Sequence, residues 1–279
     1  VNTGFRPLID RIIDLALEED LGPGDLTTWA IIDPSIKGKA RLLAKEEIVL
    51  AGIEVFGKVL SRLDPEIAVE CNFHDGDVVA KAKDIGVVKG SIRGILSGER
   101  TALNFLQHLS GIATLTRRYV DKTDPSKVRV IDTRKTTPGL RVLEKYAVRV
   151  GGGFNHRFGL FDGVLIKDNH IAAVGSISKA VAKIRATVPH TLRIEVEVDD
   201  IKGLEQALEA GADAILLDNM SVKEMEEAVT IAGGRVLLEA SGGITLESIE
   251  EISQTGVNLI SVGAITHSAR SVDISLEMI

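Results

Sequence analysis

The chain has 279 residues, 44% hydrophobic and 26% charged, with a net charge of −7. That length fits two domains or one large α/β domain and buries enough surface to need no disulfide staples. The composition excludes a disordered chain, a collagen and a disulfide scaffold. Cys71 is the single cysteine, which permits no internal disulfide and no metal-ligand spacing. The acidic balance and ten aromatics argue against a nucleic-acid partner. The longest apolar runs fall far below the ~18 residues of a membrane span, so no membrane partner is expected. No basic, apolar, small-residue leader is visible, and a reduced, cytoplasmic protein is expected.

The first third reads as α+β. Residues 7–19 form an amphipathic helix with Leu8, Ile12, Leu15 and Ala16 on one face. Segments 37–50, 67–73 and 78–88 read as strands, with a turn at Asp75-Gly76-Asp77, and 52–63 as a helix. A long helix is expected over 98–120. From there the pattern changes. Apolar, β-branched runs at 127–132, 163–166, 192–198, 214–217, 236–239 and 259–262 alternate with helices at 139–150, 176–188, 201–210, 222–232 and 246–255. Glycines come after several of these helices as C-caps. Strands separated by single helices pair in parallel with right-handed crossovers. Six of them suit an incomplete α/β barrel or an open doubly wound sheet.

Ligands of such folds sit at the carboxyl ends of the strands. There the sequence places Asp132-Thr133-Arg134-Lys135, Lys167-Asp168-Asn169-His170, Glu195-Val196-Glu197, Asp218-Asn219, Glu239-Ala240-Ser241-Gly242-Gly243 and Gly263-Ala264. Between positions 134 and 167 seven Lys/Arg face only Glu144 and Asp162, a local excess of five positive charges in an acidic chain. Such an excess suits a polyanionic small molecule. Arg134 offers a planar fork for carboxylate or phosphate, and Lys135 and Lys167 offer point charges. Glu197 and Asp218 are candidate Mg2+ ligands through their hard oxygens. Ser241, Gly242 and Gly243, with Gly263 and Ala264 after the last strand, are candidate phosphate-binding positions, where backbone N–H groups and a helix dipole approach the anion. No nucleophile motif, Walker loop or zinc spacing is present. The set suits a reaction driven by leaving-group charge stabilisation, such as transfer from a sugar pyrophosphate.

The segments EDLGPGDLTT (19–28), SGERTALN (97–104), DTRKTTPGLR (132–141), GGGFNHR (151–157), KDNH (167–170), EVE (195–197), LDN (217–219) and EASGGI (239–244) together resemble the quinolinate phosphoribosyltransferase family. The resemblance runs essentially end to end. It implies an N-terminal α/β sandwich domain over 1–105, with the tail at about 268–279 a candidate to join it, and an incomplete, about six-stranded α/β barrel over 106–267. It implies transfer of phosphoribosyl from phosphoribosyl pyrophosphate to quinolinate, with Mg2+ and loss of CO2. It also implies a homodimer or higher homo-oligomer in which Arg100 reaches the neighbouring subunit's site. Thr133, Arg134, Lys135, His156, Arg157, Lys167, Glu197 and Asp218 become substrate-binding, with Lys135, Lys167, Glu197 and Asp218 carrying the chemistry. A related pyrophosphorylase with another acceptor, or a non-catalytic phosphate-ligand sensor, are the alternatives.

Overall fold

The computed structural model describes residues 5–279, so the first four residues of the expected 1–105 domain lie outside the described residues. In chain order the first elements are α1 (Arg6–Leu21), α2 (Leu26–Ile31), β1 (Lys37–Ala44), β2 (Ile48–Val49), α3 (Ile53–Leu63), β3 (Ala68–Cys71), β4 (Val78–Val79), β5 (Asp84–Ser91) and α4 (Ile92–Val120). Next come β6 (Arg129–Ile131), α5 (Arg141–Val150), β7 (Val164–Ile166), α6 (Asp168–Val174), α7 (Ile177–Thr187), β8 (Ile194–Val198), α8 (Ile201–Glu209) and β9 (Ala214–Asp218). The chain closes with α9 (Val222–Ala232), β10 (Leu237–Ser241), α10 (Ile249–Ser253), β11 (Leu259–Ser261), α11 (Ala264–His267) and β12 (Ile274–Met278).

Two compact units divide the chain. One comprises Val1–Arg117, Thr136–Gly152 and Ile265–Ile279; the other comprises Arg118–Lys135 and Gly153–Ala264.

In the first unit an antiparallel sheet has the order β12-β1-β5-β3. Strand β1 alternates, with Ala40, Leu42 and Ala44 buried and the residues between them more exposed, as a sheet with one wet face requires. The expected strand at 37–50 is interrupted. Lys45 N–H donates to Asp273 O and Val49 N–H to Thr114 Oγ1, so the chain leaves β1 and reappears as β2, paired with β4. Likewise 78–88 breaks at Ala82, which takes a left-handed φ of 64° while its N–H donates to Ala44 O. Helix α1 buries Ile9, Ile13 and Leu17, whereas Leu8 is 39% and Leu15 66% exposed. The buried stripe is therefore the neighbouring i, i+4, i+8 row rather than the expected one, set by packing against α3 and by ion pairs from Arg62 to Asp10 and Asp14. Helix α4 starts six residues before the expected 98. Its early glycines are close-approach positions: a Cβ at Gly98 would lie 2.9 Å from Leu63 Cδ1.

The second unit is a parallel six-stranded sheet in the order β6-β11-β10-β9-β8-β7. All six strands coincide with the apolar runs of the sequence. Central β9 has four consecutive buried residues, Ala214 to Leu217, the mark of a strand covered on both faces. The sheet ends at β6 and β7, which agrees with an incomplete rather than a closed barrel. Helix α5, between those two edge strands in sequence, belongs to the first unit. Among the described residues no helix is long and apolar enough to cross a membrane.

A candidate anion-binding active site

At the carboxyl ends of the parallel strands lies a cavity of about 540 Å³. Its wall includes Thr133, Arg134 and Lys135 after β6, His156 and Arg157 from the next loop, and Lys167 after β7. Glu197, Asp218, Ser241, Gly242 and Gly243 complete the expected set. Side chains two apart on a strand share a face. That period brings Glu195 with Glu197 inward on β8, Leu216 with Asp218 on β9, and Glu239 with Ser241 on β10.

The loop carrying His156 and Arg157 is clamped to the end of β6. Phe154 forms a parallel bridge to Ile131 and carries the Arg129 guanidinium over its ring at 4.8 Å. Fully buried Asp132 accepts from Asn155 Nδ2 at 2.6 Å and from His156 N–H at 2.9 Å. The glycine-rich run 151–153 thus feeds a fixed basic pair. Arg157 donates to Gly163 O at 2.9 Å. Burial, and then the like charge of Arg134, push the Arg157 guanidinium down from its ordinary range. Two guanidiniums held within each other's field form a site that an incoming anion relieves.

On the opposite wall Lys167 pairs with Glu197, and Lys167 N–H donates to His170 Nδ1 at 2.9 Å. Asn219, at a left-handed φ of 55°, donates from Nδ2 to Asp218 Oδ2 at 3.0 Å, and its N–H donates to Ser241 O at 2.9 Å. Asn219 also explains the glycine beside it. A Cβ at Gly242 would meet Asn219 Oδ1 at 2.2 Å, and Gly242 and Gly243 both take positive φ. The expected helix at 246–255 is only Ile249–Ser253, beginning eight residues beyond Ser241. Any phosphate cradle here therefore rests on loop N–H groups rather than on a helix dipole, which decays within one turn.

Three expected residues are not in this wall. Arg100 lies exposed on α4, in the first unit. Gly263 and Ala264 come after β11 outside the lining set, and α11 has four residues. The local charge excess divides too: Arg141, Lys145 and Arg149 belong to α5, leaving four of the seven cations at the cavity. The sequence pattern did not single out Asn219, Glu195 and Glu239 for roles. The two glutamates signalled themselves by standing at period two before Glu197 and Ser241 within apolar strands; the left-handed Asn219 left no local mark.

Residues 25–110 match the N-terminal domain of quinolinate phosphoribosyl transferase, and residues 112–277 match its C-terminal domain. The chain belongs to the quinolinate phosphoribosyltransferase family. It is 46% identical over 270 residues to a probable carboxylating nicotinate-nucleotide pyrophosphorylase of Bacillus subtilis, covering 97% of this chain and 93% of that one. A decarboxylating quinolinate phosphoribosyltransferase of Nicotiana tabacum is 42% identical, with 96% of this chain and 81% of that one covered. The crystal structure of NadC from Streptococcus pyogenes superposes with a TM-score of 0.95 at 46% identity, covering 99% and 97% of the two chains.

Proposed function

We propose that this family member transfers phosphoribosyl from phosphoribosyl pyrophosphate to quinolinate with decarboxylation, giving nicotinate mononucleotide, pyrophosphate and CO2 for NAD biosynthesis. The observation that carries the reading is a cavity that gathers Arg134, Arg157, two lysines and the strand-end carboxylates Glu197 and Asp218. Quinolinate brings two carboxylates and the donor brings phosphate and pyrophosphate, so only a cation-rich pocket accepts both. Arg134, Arg157 and Lys135 bind acceptor and leaving-group oxygens. Thr133 fixes the turn that presents them, its Oγ1 accepting Lys135 N–H at 3.0 Å. Backbone N–H groups of Ser241, Gly242 and Gly243 hold a phosphate.

The ribosyl carbon gains positive character as pyrophosphate leaves, and preorganised charge on the leaving group is the main expected catalytic term. Glu197 and Asp218 fit Mg2+: both are hard oxygen donors at the cavity, too few to fill its coordination, which leaves positions for water and pyrophosphate oxygens. When bound, the ion supplies charge neutralisation at the leaving group. Lys167 holds Glu197 in place and adds a further positive charge. The ribosylated ring nitrogen is cationic and stabilises the carbanion left on the neighbouring ring carbon when its carboxylate departs as CO2, and that carbon then takes a proton from water. No covalent enzyme intermediate is required.

The reading further places the protein in the cytoplasm as a homodimer, with Arg100 acting in the partner's pocket. Exposed Leu15, Leu26, Trp29 and Ile31 on the same unit as Arg100 support a covered face. Purified protein is tested with phosphoribosyl pyrophosphate and Mg2+, comparing quinolinate with nicotinate. Equal release of pyrophosphate and CO2 from quinolinate alone is expected; pyrophosphate without CO2 means another acceptor, and tight binding without turnover means a sensor. Mixing inactive Arg100→Ala and Arg134→Ala proteins should restore part of the activity, and no recovery under confirmed subunit exchange removes Arg100 from the partner's site.

A further inference from the structure

Beneath the cation-lined wall, His156, Glu195 and Glu239 each place one polar atom within 4.8 Å of the others. His156 Nδ1 accepts Arg157 N–H at 2.7 Å, so that nitrogen carries no proton. The ring proton is therefore on Nε2, which lies 3.2 Å from Glu195 Oε2 and 3.7 Å from Glu239 Oε2. One imidazole proton thus faces two carboxyl groups, and Glu195 is nearer. The Glu239 side chain is only 2% exposed, and its Oε1 has no hydrogen-bond partner.

Charged and titratable groups facing Glu239 are Glu195 from β8 and His156 from the clamped loop; Ser261 faces it from β11, and its register partner on β9 is the apolar Leu216. His156 and Ser261 favour an ionised Glu239, but burial and Glu195 outweigh them. Two ionised carboxylates here would stand buried, like against like, at the floor of a pocket built for anions. Burial first, and then the Glu195 charge, push the Glu239 carboxyl up to about 8.

We infer that Glu239 is a positioning residue standing as a neutral carboxylic acid behind His156, so that it adds no negative charge to the pocket floor when a dianionic acceptor enters. This rests on the quinolinate reading for the acceptor's identity, but not for the proton. The proton and the acceptor are linked. An acceptor anion favours protonated Glu239, and ionised Glu239 repels the acceptor, so affinity falls with rising pH by up to roughly tenfold per unit above the ionisation point.

The test combines spectroscopy with kinetics. In the infrared difference between wild type and Glu239→Gln, a protonated-carboxyl carbonyl band is expected at neutral pH and should bleach in alkali. KM for quinolinate should rise in wild type through about pH 8 to 9 with kcat little moved. Glu239→Ala should raise that KM at neutral pH by about fivefold, because the His156 ring loses the polar group behind it while no charge is added. Glu239→Gln, the isostere of the neutral acid, should rescue it and remove the alkaline rise. Absence of the protonated band at neutral pH, or a Gln variant as impaired as the Ala variant, overturns the inference. Failure of wild type to turn over quinolinate overturns the acceptor assignment alone, because the infrared band still decides whether Glu239 holds its proton.

Discussion

The antiparallel sheet and the carboxyl edge of the parallel sheet treat charge in opposite ways. On the antiparallel sheet opposite charges meet: Glu277 on β12 receives Arg41 at 2.9 Å and Lys45 at 2.6 Å, Lys89 meets Glu70 at 2.6 Å, and Lys37 meets Glu66 at 2.7 Å. At the parallel edge Lys167 still pairs with Glu197, but like charges also meet: Arg157 lies in the field of Arg134, and Glu239 in that of Glu195. The same glutamate side chain is consequently drawn down to about 2 at position 277, chiefly by hydrogen bonds from Lys45 and Arg41, and pushed up to about 8 at position 239. Opposed charge on a surface sheet satisfies itself and asks nothing of a ligand. Clustered like charge is a fault in a fold unless a ligand completes it, which is why such clusters mark functional sites.

Breaking a like-charged pair should show that asymmetry most strongly. Arg134→Ala should lose about 3 kcal/mol of transition-state binding, roughly a hundredfold in kcat/KM, as charge-assisted hydrogen bonds to the substrate disappear. Unchanged kcat/KM removes Arg134 from the site. Asn219 sharpens the comparison next. Removing its amide with Asn219→Gly, which tolerates the left-handed backbone, should lower kcat by about fivefold, the worth of one hydrogen bond of about 1 kcal/mol to Asp218. Asn219→Ala should add a backbone penalty of about 1 kcal/mol in stability. Equal stability of the two variants in thermal melts would contradict the strained backbone.

Stability against pH tests the two glutamates directly. The raised Glu239 favours the protonated folded state, so its contribution is complete below the ordinary value of 4.5 and is lost as pH rises through about 8. Glu239→Gln should flatten the melting temperature over that window. The depressed Glu277 contributes above 4.5, and that contribution is lost as pH falls through about 2. Glu277→Gln should produce the smallest effect of the series, a slight loss of melting temperature at neutral pH that salt screens and acid erases. Slopes of the same sign for both variants would break the contrast.

Much of the site was legible because a parallel strand delivers its last residues to one edge. Lys135, Lys167, Glu197, Asp218 and Ser241 could be placed from their positions at or just beyond the ends of the apolar runs, and the structure puts all of them at one cavity. Helix α1 shows the limit. Its period was evident, but which apolar row turned inward depended on α3, and a shift of one position exchanged the buried face for the exposed one.

Local patterning by itself therefore determined the six parallel strands, most of the helices and the edge at which chemistry gathers, because alternation, helical period and turn residues act over a few positions. The family motifs added the reaction class. Tertiary structure alone decided that β12 pairs with β1 from the far end of the chain, that α5 leaves its neighbouring strands for the first unit, and that polar atoms of Glu195, Glu239 and His156 converge within 4.8 Å of one another. Those outcomes depend on groups far apart in the chain meeting in a water-poor interior, where the energy of a charge is set by its neighbours in space rather than in sequence.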